Sequence, residues 1–107
     1  MKFLSRIEEI LLLTIWKLGE NAYGISIRQQ VELDTGVTWM SGAIYAPLQR
    51  LKKNGYVRTS QAEGAAEMGG RPRIYYSLTA LGEEKLVSMQ AINQSLWNQV
   101  PDLKEVF

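Results

Sequence analysis

Apolar residues recur with helical spacing in four stretches of this 107-residue chain, and two short runs rich in β-branched and aromatic residues lie between the third and the fourth. The most complete helical stretch spans residues 39 to 56. At roughly 100° per residue, Ile44, Leu48 and Leu51 fall within about 60° of one another and form a narrow seam to be buried. Gly42, Tyr45, Ala46, Gln49 and Lys53 fall on the other side. Ser41 is the expected N-cap, because its hydroxyl accepts from an orphan amide of the first turn, and Gly55 supplies the left-handed residue that ends a helix. The polar face is small at its start, aromatic in the middle and basic at its end. That suits close approach to a groove, with Tyr45 and Gln49 able to reach phosphates or base edges. A solvated face carrying one tyrosine is the other reading of the same residues.

The first helix is expected from Ser5 to about Leu18, opened by the capping-box pattern Ser5-Arg6-Ile7-Glu8. Ile7, Leu11, Thr14 and Leu18 form one stripe, and Ile10, Leu13 and Trp16 another, so more than half of its circumference is apolar. Such a helix faces its own core and a second partner. Gly19-Glu20-Asn21 turns the chain into a second helix from about Tyr23 to Thr35, with Ile27 and Val31 inward, Arg28, Gln29 and Glu32 outward, and Gly36 as its stop. Val37-Thr38-Trp39-Met40 is expected to be extended, as a minimal strand. Two short helices joined by so brief a connector, the second with a presented face, make a helix-turn-helix.

Tyr56 to Gln61 and Arg73 to Leu78 read as strands that pair antiparallel. The residues between them, Ala62 to Pro72, end in Gly69-Gly70-Arg71-Pro72-Arg73 and are too many for a tight turn. Arginines at the tip of a two-stranded ribbon beside a groove-facing helix form a wing; a hairpin end with solubilising charge is the alternative. Thr79 caps a last helix from Ala80 to about Val100, before Pro101. In it Leu86, Met89, Asn93, Leu96 and Val100 follow a 3-4-3-4 spacing, a short coiled-coil seam with one polar inner position. That seam, joined by Leu11 of the first helix, either meets a second copy of the chain or folds back on the first helix.

Composition narrows the chemistry. With no cysteine and no histidine there is no disulfide, no thiolate and no imidazole base or metal ligand. Glu8 and Glu9 are adjacent on a helix and point apart, and no glycine-rich phosphate loop precedes a helix, so neither an enzyme nor a cofactor or metal is expected. The longest apolar run, Ile10 to Trp16, is far shorter than a bilayer span, and a cytoplasmic location with no membrane partner is expected. Net charge is only +1, yet residues 41 to 76 carry six basic side chains against two acidic ones, while the flanks carry six against nine. Positive charge concentrated in the middle third is what a nucleic-acid partner requires.

With these elements placed, the chain resembles the PadR family of bacterial transcriptional regulators in its short form. The resemblance rests on Tyr23-Gly24, on Gly42-Ala43-Ile44-Tyr45 followed by Leu48-Gln49-Arg50-Leu51 and Gly55-Tyr56-Val57, and on Gly69-Gly70-Arg71-Pro72-Arg73 leading into Tyr75-Tyr76-Ser77-Leu78-Thr79 and Gly82. Family members commonly carry proline directly after the tyrosine; here Ala46 intervenes, and Pro47 stands where it can bend the helix. The resemblance implies an α+β, mostly α fold: a winged helix-turn-helix of three helices and a hairpin wing over residues 1–79, and a dimerisation helix and tail over 80–107, as one compact unit. It further implies a homodimeric repressor on double-stranded DNA with an inverted-repeat operator, released by a small aromatic or cationic effector. The residues expected at DNA are Tyr23, Gly24, Ser41, Gly42, Ala43, Tyr45, Gln49, Lys52, Lys53, Arg71 and Arg73. Trp16 and Trp97 either line an effector pocket or are plain core. A winged helix that binds only protein is the competing function.

Overall fold

The computed structural model describes residues 3–61 and 73–103; Arg71 and the rest of the expected wing loop, 62–72, lie outside them. In chain order the elements are α1 (Arg6–Leu18), a 3-10 turn (Gly19–Asn21), α2 (Gly24–Thr35), α3 (Ser41–Lys53), β1 (Val57–Gln61), β2 (Ile74–Leu78) and α4 (Ala80–Trp97). The two strands pair antiparallel from Val57 opposite Leu78 to Gln61 opposite Ile74. This is the mostly helical fold with one hairpin that the residue pattern predicts.

The core is built around α1. Its start is fixed by the expected capping box: the Ser5 hydroxyl accepts from the Glu8 N–H at 3.2 Å, and the Ser5 N–H donates to the Glu8 carboxylate at 2.9 Å. Leu11, Leu12 and Ile15 are then completely or almost completely buried against Ile27 and Val31 of α2, Ile44, Leu48 and Leu51 of α3, and Val57, Tyr76 and Leu78 of the hairpin. Each large aliphatic side chain so buried contributes roughly 1.5–3 kcal/mol. The buried hydroxyl of Thr14 is satisfied by donating to the Ile10 carbonyl at 2.7 Å.

Helix ends follow the expected stop signals. Gly36 (φ 74°) closes α2, and its N–H donates to the Glu32 carbonyl. At the end of α3 the Gly55 N–H donates to Lys52 and the Tyr56 N–H to Leu51, with Gly55 at φ 80°. Those are the paired bonds of a Schellman ending. The same turn then anchors α4: the Thr79 N–H donates to the Tyr56 carbonyl at 3.1 Å, and the Thr79 hydroxyl accepts from Gly82 at 3.0 Å.

Several local expectations are corrected. Ser41 is the first residue of α3, after Met40, and caps nothing; its hydroxyl accepts from the Arg28 guanidinium at 2.9 Å. Val37 to Met40 form an extended connector with no strand partner, and Trp39 packs on the core. Pro47 does not interrupt α3. It lies on the buried seam, and the bond it forgoes is to the carbonyl of Ala43, on an exposed residue where water can replace it. Helix α4 ends at Trp97, and the chain then turns through Gln99 at φ 62°.

The seam expected on α4 is divided. Met89 is buried, Leu86 packs on the core, and the Asn93 amide donates to Glu9 of α1 at 2.8 Å. The near half of α4 therefore folds back on α1. Leu11 is wholly internal, and with Met89 it offers no surface to a second copy. The far half runs past the core, leaving Leu96 and Trp97 exposed, and Val100 and Leu103 are exposed in the segment after the helix. The radius of gyration, 16.1 Å against the roughly 13 Å of a compact domain of this length, reflects that projection.

Gly82 sits where α4 crosses the Tyr56 turn, and a Cβ there would lie 2.0 Å from the Tyr56 carbonyl oxygen. Gly82→Ala should lower Tm by on the order of 10 °C in a calorimetric or circular-dichroism melt, because a backbone carbonyl has nowhere to move.

Candidate nucleic-acid interface

Three pieces of backbone converge beside α3. The first is the N-terminus of α2, where the Tyr23 N–H donates to the Ser26 hydroxyl at 2.9 Å and leaves the amides of the first turn pointing outward. The second is the start of α3 itself. The third is the loop end of β2, held to α2 because Tyr23 and Tyr75 form an antiparallel bridge and the Tyr76 N–H donates to the Ala22 carbonyl at 2.8 Å. The hairpin is thus a continuation of the turn before α2, and its direction follows from that of α2.

Between these pieces lies an open groove of about 800 Å³, walled by Tyr23, Gly24, Arg28, Ser41, Gly42, Tyr45 and Arg73 among others. Six residues expected at DNA from the sequence therefore meet in one place: Tyr23, Gly24, Ser41, Gly42, Tyr45 and Arg73. Ala43, Lys52 and Lys53 are exposed and Gln49 is half-buried, but these lie along α3 outside the groove. Arg28 was missed, because on the α2 period it reads as one more solvated side chain. The available signal was its distance of one helical turn from Gly24, which puts both on the same face. Its bond to Ser41 ties α2 to α3 across the helix-turn-helix.

Two positive helix ends and two guanidinium groups define the groove as a place for anions. Arg73 sits over the Tyr23 ring at 4.2 Å, and the Tyr23 and Tyr75 rings meet edge to face at 5.5 Å. A hydrogen bond to the Tyr75 phenol, and then the proximity of Tyr23, raise the Arg73 pKa above its already high ordinary value, so the charge is permanent. Burial, with a smaller contribution from Tyr45, raises the pKa of the Tyr76 phenol, another wall of the groove, as well. On the back of α3, Arg50 lies 3.6 Å from the carboxylate of Glu8 and seats the helix on α1.

A second groove, of about 770 Å³, runs between α1 and α4 on another face of the molecule. Trp16 and Trp97 line it with Leu13 and Val87, and both tryptophans are more than half exposed, so neither is core. No helix among the described residues is long and apolar enough to cross a membrane.

A helix-turn-helix followed by a hairpin wing, with its second helix seated against the first helix of the chain, defines the winged-helix class. Within that class the chain belongs to the PadR-like family of transcriptional regulators, whose model matches residues 12–88. It is similar in structure to a Streptococcus transcriptional regulator (29% identity, 84% of this chain and 83% of that one, TM-score 0.70). It is also similar to a PadR-like transcription factor from Bacteroides fragilis (27% identity, 85% of each chain, TM-score 0.69). A PadR family regulator from Clostridium difficile shares the fold at 22% identity, over 89% of this chain and 97% of that one, with a TM-score of 0.69. Comparison with curated proteins returned no significant match. The family is one of regulators, not enzymes.

The Glu8 carboxylate links the seating of α3 to pH. Burial pushes its pKa up, but the Ser5 hydroxyl and N–H and the Arg50 guanidinium outweigh burial and hold it below the ordinary 4.5. A carboxylate depressed in the folded state stabilises above its unfolded pKa, and that stability is lost as pH falls through the folded value. Glu8→Gln should therefore be less stable than the parent at pH 7 in urea melts, and the gap should close as pH falls below 4.5.

Proposed function

We propose that the chain is a sequence-specific DNA-binding regulator that works as a homodimer, a repressor released from an inverted-repeat operator by a small effector. The observation that carries this reading is the convergence of Tyr23, Gly24, Ser41, Gly42, Tyr45 and Arg73, with Arg28, on one groove bounded by two helix N-termini. In this reading α3 enters the major groove, with Ser41, Gly42, Ala43, Tyr45 and Gln49 near phosphates and base edges. Lys52 and Lys53 hold the backbone, and Arg71 and Arg73 reach phosphates or the minor groove from the wing. Residues 1–79 are then the DNA-binding part and 80–107 the dimerisation part.

Dimerisation is supported by Leu96 and Trp97, large exposed apolar side chains at the end of a helix that outruns its own core, with Val100 exposed just beyond it. A second copy packed there would set two reading helices roughly 34 Å apart, one turn of duplex, and would cover the α1–α4 groove. The effector, a small aromatic or cationic molecule, is placed in that groove with Trp16 and Trp97 as its walls. An intramolecular use of α4 alone would leave this apolar surface in water.

Three measurements test the proposal. A gel shift on the DNA upstream of the protein's own gene and its neighbours, against nonspecific competitor, should give a specific complex; absence of any shift at low salt would favour a protein-binding module instead. Gly42→Ala should leave Tm unchanged or slightly higher, since a Cβ there meets nothing within 4 Å, while weakening operator binding by about tenfold through the lost close approach. Leu96→Asp should convert a dimer to a monomer in sedimentation equilibrium, with the fold intact by circular dichroism.

A further inference from the structure

Resting on the DNA-binding reading, we propose that Tyr23 and Tyr75 are positioning residues whose work is to hold the Arg73 guanidinium at the mouth of the groove, ready for a phosphate. Arg73 directly precedes β2, where the backbone leaves the wing, and an unsupported arginine at such a place samples many rotamers. Here it is held. Its guanidinium carbon lies 4.2 Å from the centre of the Tyr23 ring, a cation–π contact, and the Tyr75 ring meets the edge of Tyr23 at an interplanar angle of 68°.

The backbone makes the arrangement rigid. Tyr23 and Tyr75 are bridge partners, the Tyr76 N–H is bonded to the Ala22 carbonyl, and the Tyr23 N–H is bonded to Ser26. The two rings are therefore fixed from both ends, one by the start of α2 and one by β2. Tyr23 lines the groove, but its ring is engaged by Arg73 and by Tyr75, so the ring supports the cation and does not stack on DNA. A guanidinium held over a ring and bonded to the Tyr75 phenol still has further N–H donors for phosphate oxygens, and its rotamer freedom is already reduced before DNA arrives. Tyr75 was not among the residues expected at DNA, and Tyr23 changes role from contact to support.

The test uses the full chain and a random-sequence 30-base-pair duplex, with affinity measured by fluorescence anisotropy across a salt series. Arg73→Ala should weaken binding and lower the salt slope by about 0.9 for each wing that loses its phosphate. Tyr23→Leu should cost about two- to fivefold per protomer in the parent, and almost nothing when Arg73 is already alanine. Tyr23→Phe, which keeps the ring, should restore most of the affinity that Tyr23→Leu loses. An arm without DNA reads the placement directly: the Arg73 side-chain protons should show an upfield ring-current shift in NMR, retained in Tyr23→Phe and lost in Tyr23→Leu. Equal losses from Tyr23→Leu in both backgrounds, or no ring-current shift in the parent, would overturn the positioning role while leaving DNA binding intact. A parent protein that binds no duplex even at low salt would overturn both.

Discussion

The structure depends on the burial of α1. Leu11, Leu12 and Ile15 are sealed by α2, α3 and the hairpin at once, and α4 lies along what remains. Neither α2 nor α3 has enough apolar surface to be stable alone; each presents one seam, and both seams close on α1. A helix-turn-helix is otherwise only two short helices with a connector, and isolated helices of 12 and 13 residues are marginal in water. The angle at which α3 meets DNA in the proposed function is accordingly set from behind, by its packing on α1. On the presented face Ser41 adds one further tie, the bond it accepts from Arg28.

That division explains the character of the groove residues. Ser41, Gly42, Ala43 and Tyr45 are exposed, and Gly42 has open space around it, whereas Gly82 on α4 is pressed against a carbonyl. Both are glycines within the stretches that carry the family resemblance. Only one of them is required by the fold. Gly42 costs helix stability relative to alanine, and in the proposed function the compensation lies in what can come close to it.

Features whose partners are near in sequence were legible before the structure. The Ser5–Glu8 box, the left-handed Gly36 and Gly55, the Thr79 cap and the Ile44–Leu48–Leu51 seam all depend on residues within about a turn of one another. What failed depended on distant partners. Ser41 is no cap because α3 begins at it, and its hydroxyl instead meets Arg28, thirteen positions earlier; Asn93 turned inward because Glu9, 84 positions earlier, accepts from it. Leu11 and Trp16 lie on neighbouring faces of one helix that is apolar over most of its surface. Periodicity gives such faces but not their order of burial, which follows from where α2, α3 and α4 settle. Of the groove, Tyr23, Gly24, the α3 residues and Arg73 were legible, while Arg28, and Tyr75 beside the groove, emerged only when the chain closed on itself.

The first turn of α1 shows how one local feature serves two distant elements. Glu8 and Glu9 are adjacent and so diverge by about 100° around the helix. For catalysis that divergence is disabling, since a paired acid and base must face the same point. For architecture it is useful: Glu8 turns to Arg50 on α3, and Glu9 turns to Asn93 on α4 and to Arg6. The glutamate that seats the reading helix and the one that walls the rear groove are thus neighbours on one rigid turn, locked by the Ser5 capping box. Glu8 and Glu9 thereby tie α3 and α4 to the same turn of α1.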